Sequence, residues 1–213
     1  IRLTVASDQA AWDRYVDGHN DATPYHRFAW ILSVEQAYQH KNVSLLAFNE
    51  ETLVGILPCI KMQRHFSKPS YCALPYCDLG HGLANDANIL QALQNQALAL
   101  LQSEGGKSFD YRDSVSDIPC DELAGKKVRM VLPLPGDSIT LMSGFKSKLR
   151  SQIRKAEKNG LTFVVAYNQK QIDDFYQIFA INMRKLGSPV HSKEWFENLF
   201  KHYSQHIVLS VVY

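Results

Sequence analysis

Pro24-Tyr25-His26-Arg27-Phe28-Ala29-Trp30 returns 165 positions later as Pro189-Val190-His191-Ser192-Lys193-Glu194-Trp195, with proline, histidine and tryptophan at the same spacing. The match does not stand alone. Val5-Ala6-x-x-Gln9-x-x-x-Asp13 recurs as Val165-Ala166-x-x-Gln169-x-x-x-Asp173 at an offset of 160, and Val43-Ser44-Leu45 faces Ile207-Val208-Leu209 at an offset of 164. Matches that fall in order along the chain are the mark of a duplicated supersecondary unit.

The elements around each copy follow from periodicity and punctuation. Residues 1–5 read as a strand. Ala11, Trp12, Tyr15 and Val16 share one helix face, capped by Ser7 or Asp8 and stopped by Gly18. After Thr23-Pro24 a second helix carries Trp30, Ile31, Val34, Ala37 and Tyr38. Strands 43–48 and 53–60 form a hairpin across Asn49-Glu50-Glu51-Thr52. A strand at 71–74, a glycine-containing loop at 75–82 and a helix with Leu90, Leu93, Ala97, Leu100 and Leu101 come next. That helix is capped by Asn85 or Asp86 and stopped by Gly105-Gly106. Strands at 108–112 and 127–134 complete the run.

These elements predict an α/β fold with a mixed sheet in residues 1–136, a basic connecting helix in 137–160, and a β-α-α-β unit in 161–213. The last unit repeats only the opening of the first, so the protein is expected to continue past Tyr213, and this length alone to be inactive.

Composition bounds the function. Of 213 residues, 46% are hydrophobic and 21% charged, enough for a packed core and too apolar for a disordered chain. A formal charge of +2 demands neither nucleic acid nor a membrane surface. No apolar run approaches the roughly 20 residues of a membrane-spanning helix, and the opening residues lack a signal-peptide pattern. Four cysteines (Cys59, Cys72, Cys77, Cys120) are too scattered for a disulfide framework or a zinc site, and the histidines show no metal spacing. A cytoplasmic protein without a metal is the expectation.

The β-α-α-β-β-β-α-β plan, doubled in tandem, resembles the Fem-type transferases, whose chains carry two acyltransferase domains of the GNAT type. The stretches that carry the resemblance are residues 22–26 with Trp30, Gly55-Ile56-Leu57-Pro58, and Leu74-Pro75-Tyr76-Cys77-Asp78-Leu79-Gly80. Residues 150–161 (RSQIRKAEKNGL) and 182–191 (NMRKLGSPVH) add two further motifs. They look most like the branch associated with exopolysaccharide and exosortase systems. The resemblance implies transfer of an aminoacyl or acyl group onto an amine of a nucleotide-linked sugar or peptidoglycan-type precursor. The donor would be acyl-CoA or aminoacyl-tRNA, used as a co-substrate rather than a resident cofactor.

Two regions carry candidate chemistry. Lys146, Arg150, Arg154 and Lys158 recur every four residues, so a helix lays them along one face, with Leu149, Ile153 and Ala156 on the other. Residues 146–158 hold a local +5, so the rest of the chain sums to −3. Arginine forks suit phosphate oxygens, and the resemblance places a nucleotide diphosphate nearby; a solvated helix face is the alternative. The loop from Tyr76 to Gly82 lies between a strand and a helix, where glycines let backbone N–H groups approach an anion. In it Asp78 could take a proton from an amine and Tyr76 could donate to a developing oxyanion, against the alternative of a structural turn. His26 and His191, at equivalent repeat positions, are expected to pack against their tryptophans. Asn182, Ser188 and His191 stand at a helix end and turn where polar groups face a cleft. A non-catalytic module binding a nucleotide-sugar or polyanionic glycan through the basic ridge is the competing reading. An RNA-binding domain ranks third, because basic and aromatic residues do not interleave there.

Overall fold

The structure, a computed structural model, describes residues 1–63, 66–113, 130–165 and 168–213, and of Gln205 the backbone only. Its contacts group into two compact units, Ile1–Ser114 with Tyr176–Ile207, and Val115–Phe175 with Val208–Tyr213.

In the first unit, strand β1 (Arg2–Leu3) leads through a 3-10 turn into helix α1 (Gln9–Gly18). Its Trp12 and Val16, one turn apart, are buried. Asp8 does not cap the helix with its side chain. Arg2 binds both its carboxylate oxygens and Val5 N–H donates to one of them. Helix α2 (Phe28–Tyr38) buries Phe28, Ala29, Trp30, Ile31 and Val34. Strands β2 (Lys41–Asn42), β3 (Leu45–Asn49), β4 (Thr52–Leu57), β5 (Ile60–Met62), β6 (Ser70–Cys72) and β7 (Leu83–Ala84) follow. Helix α3 (Ala87–Ser103) then begins at Asp86, whose carboxylate accepts from the N–H groups of Asn88 and Ile89. Strand β8 (Ser108–Asp110) comes last before the undescribed residues.

The expected mixed sheet is split into two four-stranded sheets, ordered β1-β3-β4-β7 and β2-β5-β6-β8. All pairs are antiparallel except β6 with β8, which run parallel. The split falls where Pro58, lacking an N–H, cannot continue the ladder. There Ser44 Oγ accepts from Cys59 N–H at 2.9 Å and donates to Cys59 O at 3.2 Å, so a side chain bridges the break. The apolar faces of α1, α2 and the first sheet form one core cluster, to which Trp195 and Tyr203 also belong. A second cluster joins Leu45, Ala47, Leu57 and Ala73 to Leu93 and Ala97 of α3.

The basic connecting helix expected over 138–159 is two helices, α4 (Ser138–Gly144) and α5 (Ser147–Lys158), both in the second unit. Phe145 and Lys146 between them are extended, at φ −73°, ψ 148° and φ −58°, ψ 148°. Lys146 is therefore the N-cap of α5, not a member of its helical ridge. Nor do Leu149, Ile153 and Ala156 bury a face: no residue of α5 is buried, and Leu149 is 41% exposed. The strand expected at 127–134 lies partly outside the described residues; residues 130–134 form no strand, as Pro133 and Pro135 would each remove a ladder donor.

Strand β9 (Phe163–Val165), helices α6 (Gln169–Leu186) and α7 (Lys193–Tyr203), and strand β10 (Ser210–Val212) close the chain. Their order repeats β1-α1-α2-β3, and in each set the first strand pairs antiparallel with the last. Helix α7, capped by Ser192, packs on α2 within the first unit. Among the described residues no helix is long and apolar enough to cross a membrane.

Candidate functional site

In the first unit a set of polar-edged aromatic rings gathers where the end of α2, the loop after β6 and the start of α7 meet. Tyr38 ends α2, Tyr76 stands on the loop, and His191 and Trp195 flank the N-cap of α7. The ring centroids of Tyr38 and Tyr76 lie 4.8 Å apart, those of Tyr76 and His191 5.1 Å, and those of Tyr76 and Trp195 5.6 Å. Each phenol meets an imidazole. Tyr38 Oη lies 2.5 Å from His191 Nδ1, and Tyr76 Oη lies 3.2 Å from His40 Nε2. Tyr176 Oη donates to the His191 carbonyl at 3.1 Å.

Burial sets the protonation states. It pushes the Tyr38 phenol up to about 12, with a further rise from Tyr76. It raises Tyr76 as well, and it lowers both His40 and His191 below the ordinary imidazole value. At neutral pH the cluster is thus made of neutral phenols and neutral imidazoles. Such groups donate and accept hydrogen bonds alike, which suits binding or proton exchange with a substrate's amine and hydroxyl groups.

The structure therefore brings two predicted residues together, Tyr76 and His191, which the chain separates by 115 positions. Asp78 is exposed on the same loop. Asn182 and Ser188 are exposed, and Ser188 N–H closes the end of α6 by donating to Met183 O at 3.0 Å. The glycines of the loop do not offer their amides to an anion. Gly80 N–H donates to Arg112 O at 2.7 Å and Gly82 N–H to Tyr111 Oη at 3.2 Å. A Cβ at Gly80 would stand 2.0 Å from Ala73 O, so chain against chain, not chain against ligand, requires that glycine.

His26 was expected to pack against Trp30; it is fully buried, and its hydrogen bonds go to other residues. Thr23 N–H donates to its Nδ1 at 3.0 Å, its Nε2 reaches His81 O at 3.2 Å, and Trp12 Nε1 donates to its carbonyl at 2.7 Å.

The basic residues lie in the second unit. Arg150 and Arg154 line a groove of about 720 Å³ with Ser138, Ile139, Met142, Ser143 and Glu157. Arg150 is half-buried and partly engaged: its Nη1 donates to Ser143 O at 3.1 Å and to Phe145 O at 2.8 Å, closing the end of α4. Arg154 and, in the last turn of α5, Lys158 are exposed. Lys146, the N-cap, is exposed too. Among the described residues no group of three or more His, Cys, Asp or Glu side chains is placed to hold a metal ion.

Tyr38, His40 and Trp195 belong to the ring cluster without having been singled out as site residues. Trp195 was marked by the repeat; Tyr38 and His40 had no local signal, because their partners lie far along the chain.

Two comparisons found similar proteins. Residues 126–213 match the model of the FemAB family, a span that contains the basic helices, Asn182, Ser188 and His191. The crystal structure of FemX is similar in fold, with a TM-score of 0.67 at 16% sequence identity over 100% of this chain. The chain spans 57% of that protein's length. No curated protein matches the sequence.

Proposed function

We propose that this chain is part of a Fem-type transferase that moves an aminoacyl or acyl group onto an amine of a cell-envelope precursor. The observation that carries the reading is the FemAB match over residues 126–213, supported by the FemX-like fold of the whole chain. The acceptor is a nucleotide-linked sugar or peptidoglycan-type precursor whose diphosphate lies against Arg154, in the groove that Arg150 lines. Within the first unit, Tyr76 and His191 are the groups suited to hold an amine, and Asp78 is the carboxylate able to take a proton from it. An amine attacks an activated carbonyl without a protein nucleophile, so positioning supplies much of the rate. The donor is an aminoacyl-tRNA or an acyl-CoA. The engaged amides of Gly80 and Gly82 favour the first, because a pyrophosphate at that loop would find both already bonded. The work is cytoplasmic, where nucleotide-linked precursors are made, and exopolysaccharide assembly is the branch proposed.

The test is transfer of radiolabelled aminoacyl or acyl groups from each donor onto UDP-linked precursors, using the full-length protein. Label on the amine supports the reading. Tight precursor binding without label transfer from any donor would favour a non-catalytic nucleotide-sugar module instead.

A further inference from the structure

Beside an ion pair of Nε with Asp110 at 3.5 Å and a long contact of Nη2 with Cys72 Sγ at 3.7 Å, the short hydrogen bonds of the Arg112 side chain all go to the backbone of one loop. Its Nη2 donates to Leu74 O at 2.8 Å and Ala73 O at 3.2 Å, and its Nη1 to Cys77 O at 2.8 Å. Its own N–H and C=O exchange bonds with Gly80 at 2.7 Å each. Trp30 Nε1 holds the intervening Pro75 carbonyl at 2.9 Å. Within this clamp Leu74 and Tyr76 take φ of 48° and 69°. Bulky residues are unfavourable in that left-handed region and remain there only where their surroundings over-determine them. The strained geometry sets Leu74 into the core, 1% exposed, and turns Tyr76 the other way, into the ring cluster. Tyr76, still 37% exposed, is packed on the rings of Tyr38, His191 and Trp195, with its hydroxyl at His40.

We infer that Arg112 is a positioning residue: through the backbone of residues 73–80 it fixes Tyr76 in the ring cluster and at His40. A lysine could not replace it, because three carbonyls in different directions match a planar fork and not a point charge. The placement of Tyr76 stands on geometry alone; its consequence for turnover rests on the transferase reading.

Fluorine NMR tests the placement without substrate. Tyr76 is replaced by 3-fluorotyrosine in the full chain, and 5-fluorotryptophan at Trp12 reports separately on the core. The rings around Tyr76 set its signal apart from that of the unfolded chain. In Arg112→Ala the Tyr76 signal should move to the unfolded-chain position while that of Trp12 stays, and methylguanidinium should restore it. Should Arg112→Ala lose the Trp12 signal as well, Arg112→Lys, closer in volume and charge, is read in its place with the same expected displacement. An unmoved Tyr76 signal in a folded variant overturns the inference.

In the full-length protein, Arg112→Lys and Tyr76→Phe should each lower kcat, and the double variant should fall no further than the lower single one. Losses that multiply would show that Arg112 does not act through Tyr76. Absence of any transfer by the unaltered protein would count against the transferase reading and leave the fluorine result untouched.

Discussion

Trp30 and Trp195, 165 positions apart, meet with ring centroids 5.0 Å apart and planes perpendicular. The contact is reciprocal. Tyr38 lies on Trp195 at 5.7 Å, and Tyr203, its counterpart 165 positions on, lies on Trp30 at 6.4 Å. The residues after each tyrosine, Gln39 and Ser204, both have positive φ, 57° and 46°, although only Gln39 is in the left-handed helical region. Trp12 donates to the His26 carbonyl as Tyr176 does to that of His191. Helices α2 and α7 therefore pack as a self-complementary pair, in the manner of an isologous interface within one chain. What differs is the histidine: His26 is sealed in the core, whereas its counterpart His191 joins the ring cluster.

Trp30→Ala and Trp195→Ala should each cost about 3–5 kcal/mol, as buried aromatic truncations do. Because the rings touch, the double variant should lose less than the sum by about 0.5–1.5 kcal/mol. Urea unfolding of the four proteins measures the coupling. Strict additivity would show that the edge-to-face contact adds nothing beyond burial.

His26 makes stability depend on pH. Thr23 N–H bonds its Nδ1, so the ring hydrogen sits on Nε2 and the imidazole is neutral. Burial, with some repulsion from His81, holds its pKa down to about 4, against 6.5 when unfolded. The unfolded chain therefore takes up the proton first as pH falls. The stabilisation is whole above pH 6.5 and is lost progressively toward pH 4, on the order of 3 kcal/mol in all. His26→Gln, which can offer the same acceptor and donor, should flatten that part of the profile in urea titrations from pH 4 to 7.5. An unchanged slope would place the proton elsewhere.

The helices and the β3–β4 hairpin were legible because their signals are local. Leu93, Ala97 and Leu101 recur every four residues and are all buried, and Gly105 stops the helix with φ 66°. The β-α-α-β order of β9, α6, α7 and β10 was legible because tryptophan and histidine recur at the spacing they have around α2. The split sheet was not, since Ser44 meets Cys59 only once the strands pair. The break in the basic helix had one local signal, Gly144 at the end of α4, but the every-fourth-residue spacing of Lys146, Arg150, Arg154 and Lys158 ran across the extended Phe145 and Lys146 and hid it. At the candidate site, Tyr76 and His191 could each be marked from its own surroundings. Their meeting, the 153-residue link from Tyr38 to His191, and Arg112's hold on the loop are tertiary facts with no local pattern.

Two glycines should respond oppositely to alanine. At Gly18, the last residue of α1, a Cβ meets nothing within 4 Å, so Gly18→Ala should stabilise by about 0.4–1 kcal/mol through the unfolded chain. At Gly80 the Cβ would collide with backbone, so Gly80→Ala should cost more than about 3 kcal/mol or displace the loop. Thermal melting of both variants decides. A mild Gly80→Ala would mean that the 73–80 segment yields easily, contrary to its clamp.

Arg150 and Arg154 should separate in experiment, although their spacing makes them look alike. Arg150 closes the end of α4 through two carbonyls, so Arg150→Ala should lower stability by about 1 kcal/mol, an exposed-site discount on two charge-assisted bonds. Arg154 is exposed on the groove wall and should leave the melting temperature unchanged when replaced by alanine. Its loss should instead weaken binding of a UDP-linked sugar by about 1.5–3 kcal/mol, roughly ten- to a hundredfold in Kd. Calorimetric titration and melting of both variants, in the full-length protein, give the two readouts. If Arg154→Ala leaves affinity intact while Arg150→Ala abolishes it, the diphosphate is held by the remaining guanidinium nitrogens of Arg150. If neither changes affinity, the basic helix is a solvated face and the acceptor binds elsewhere.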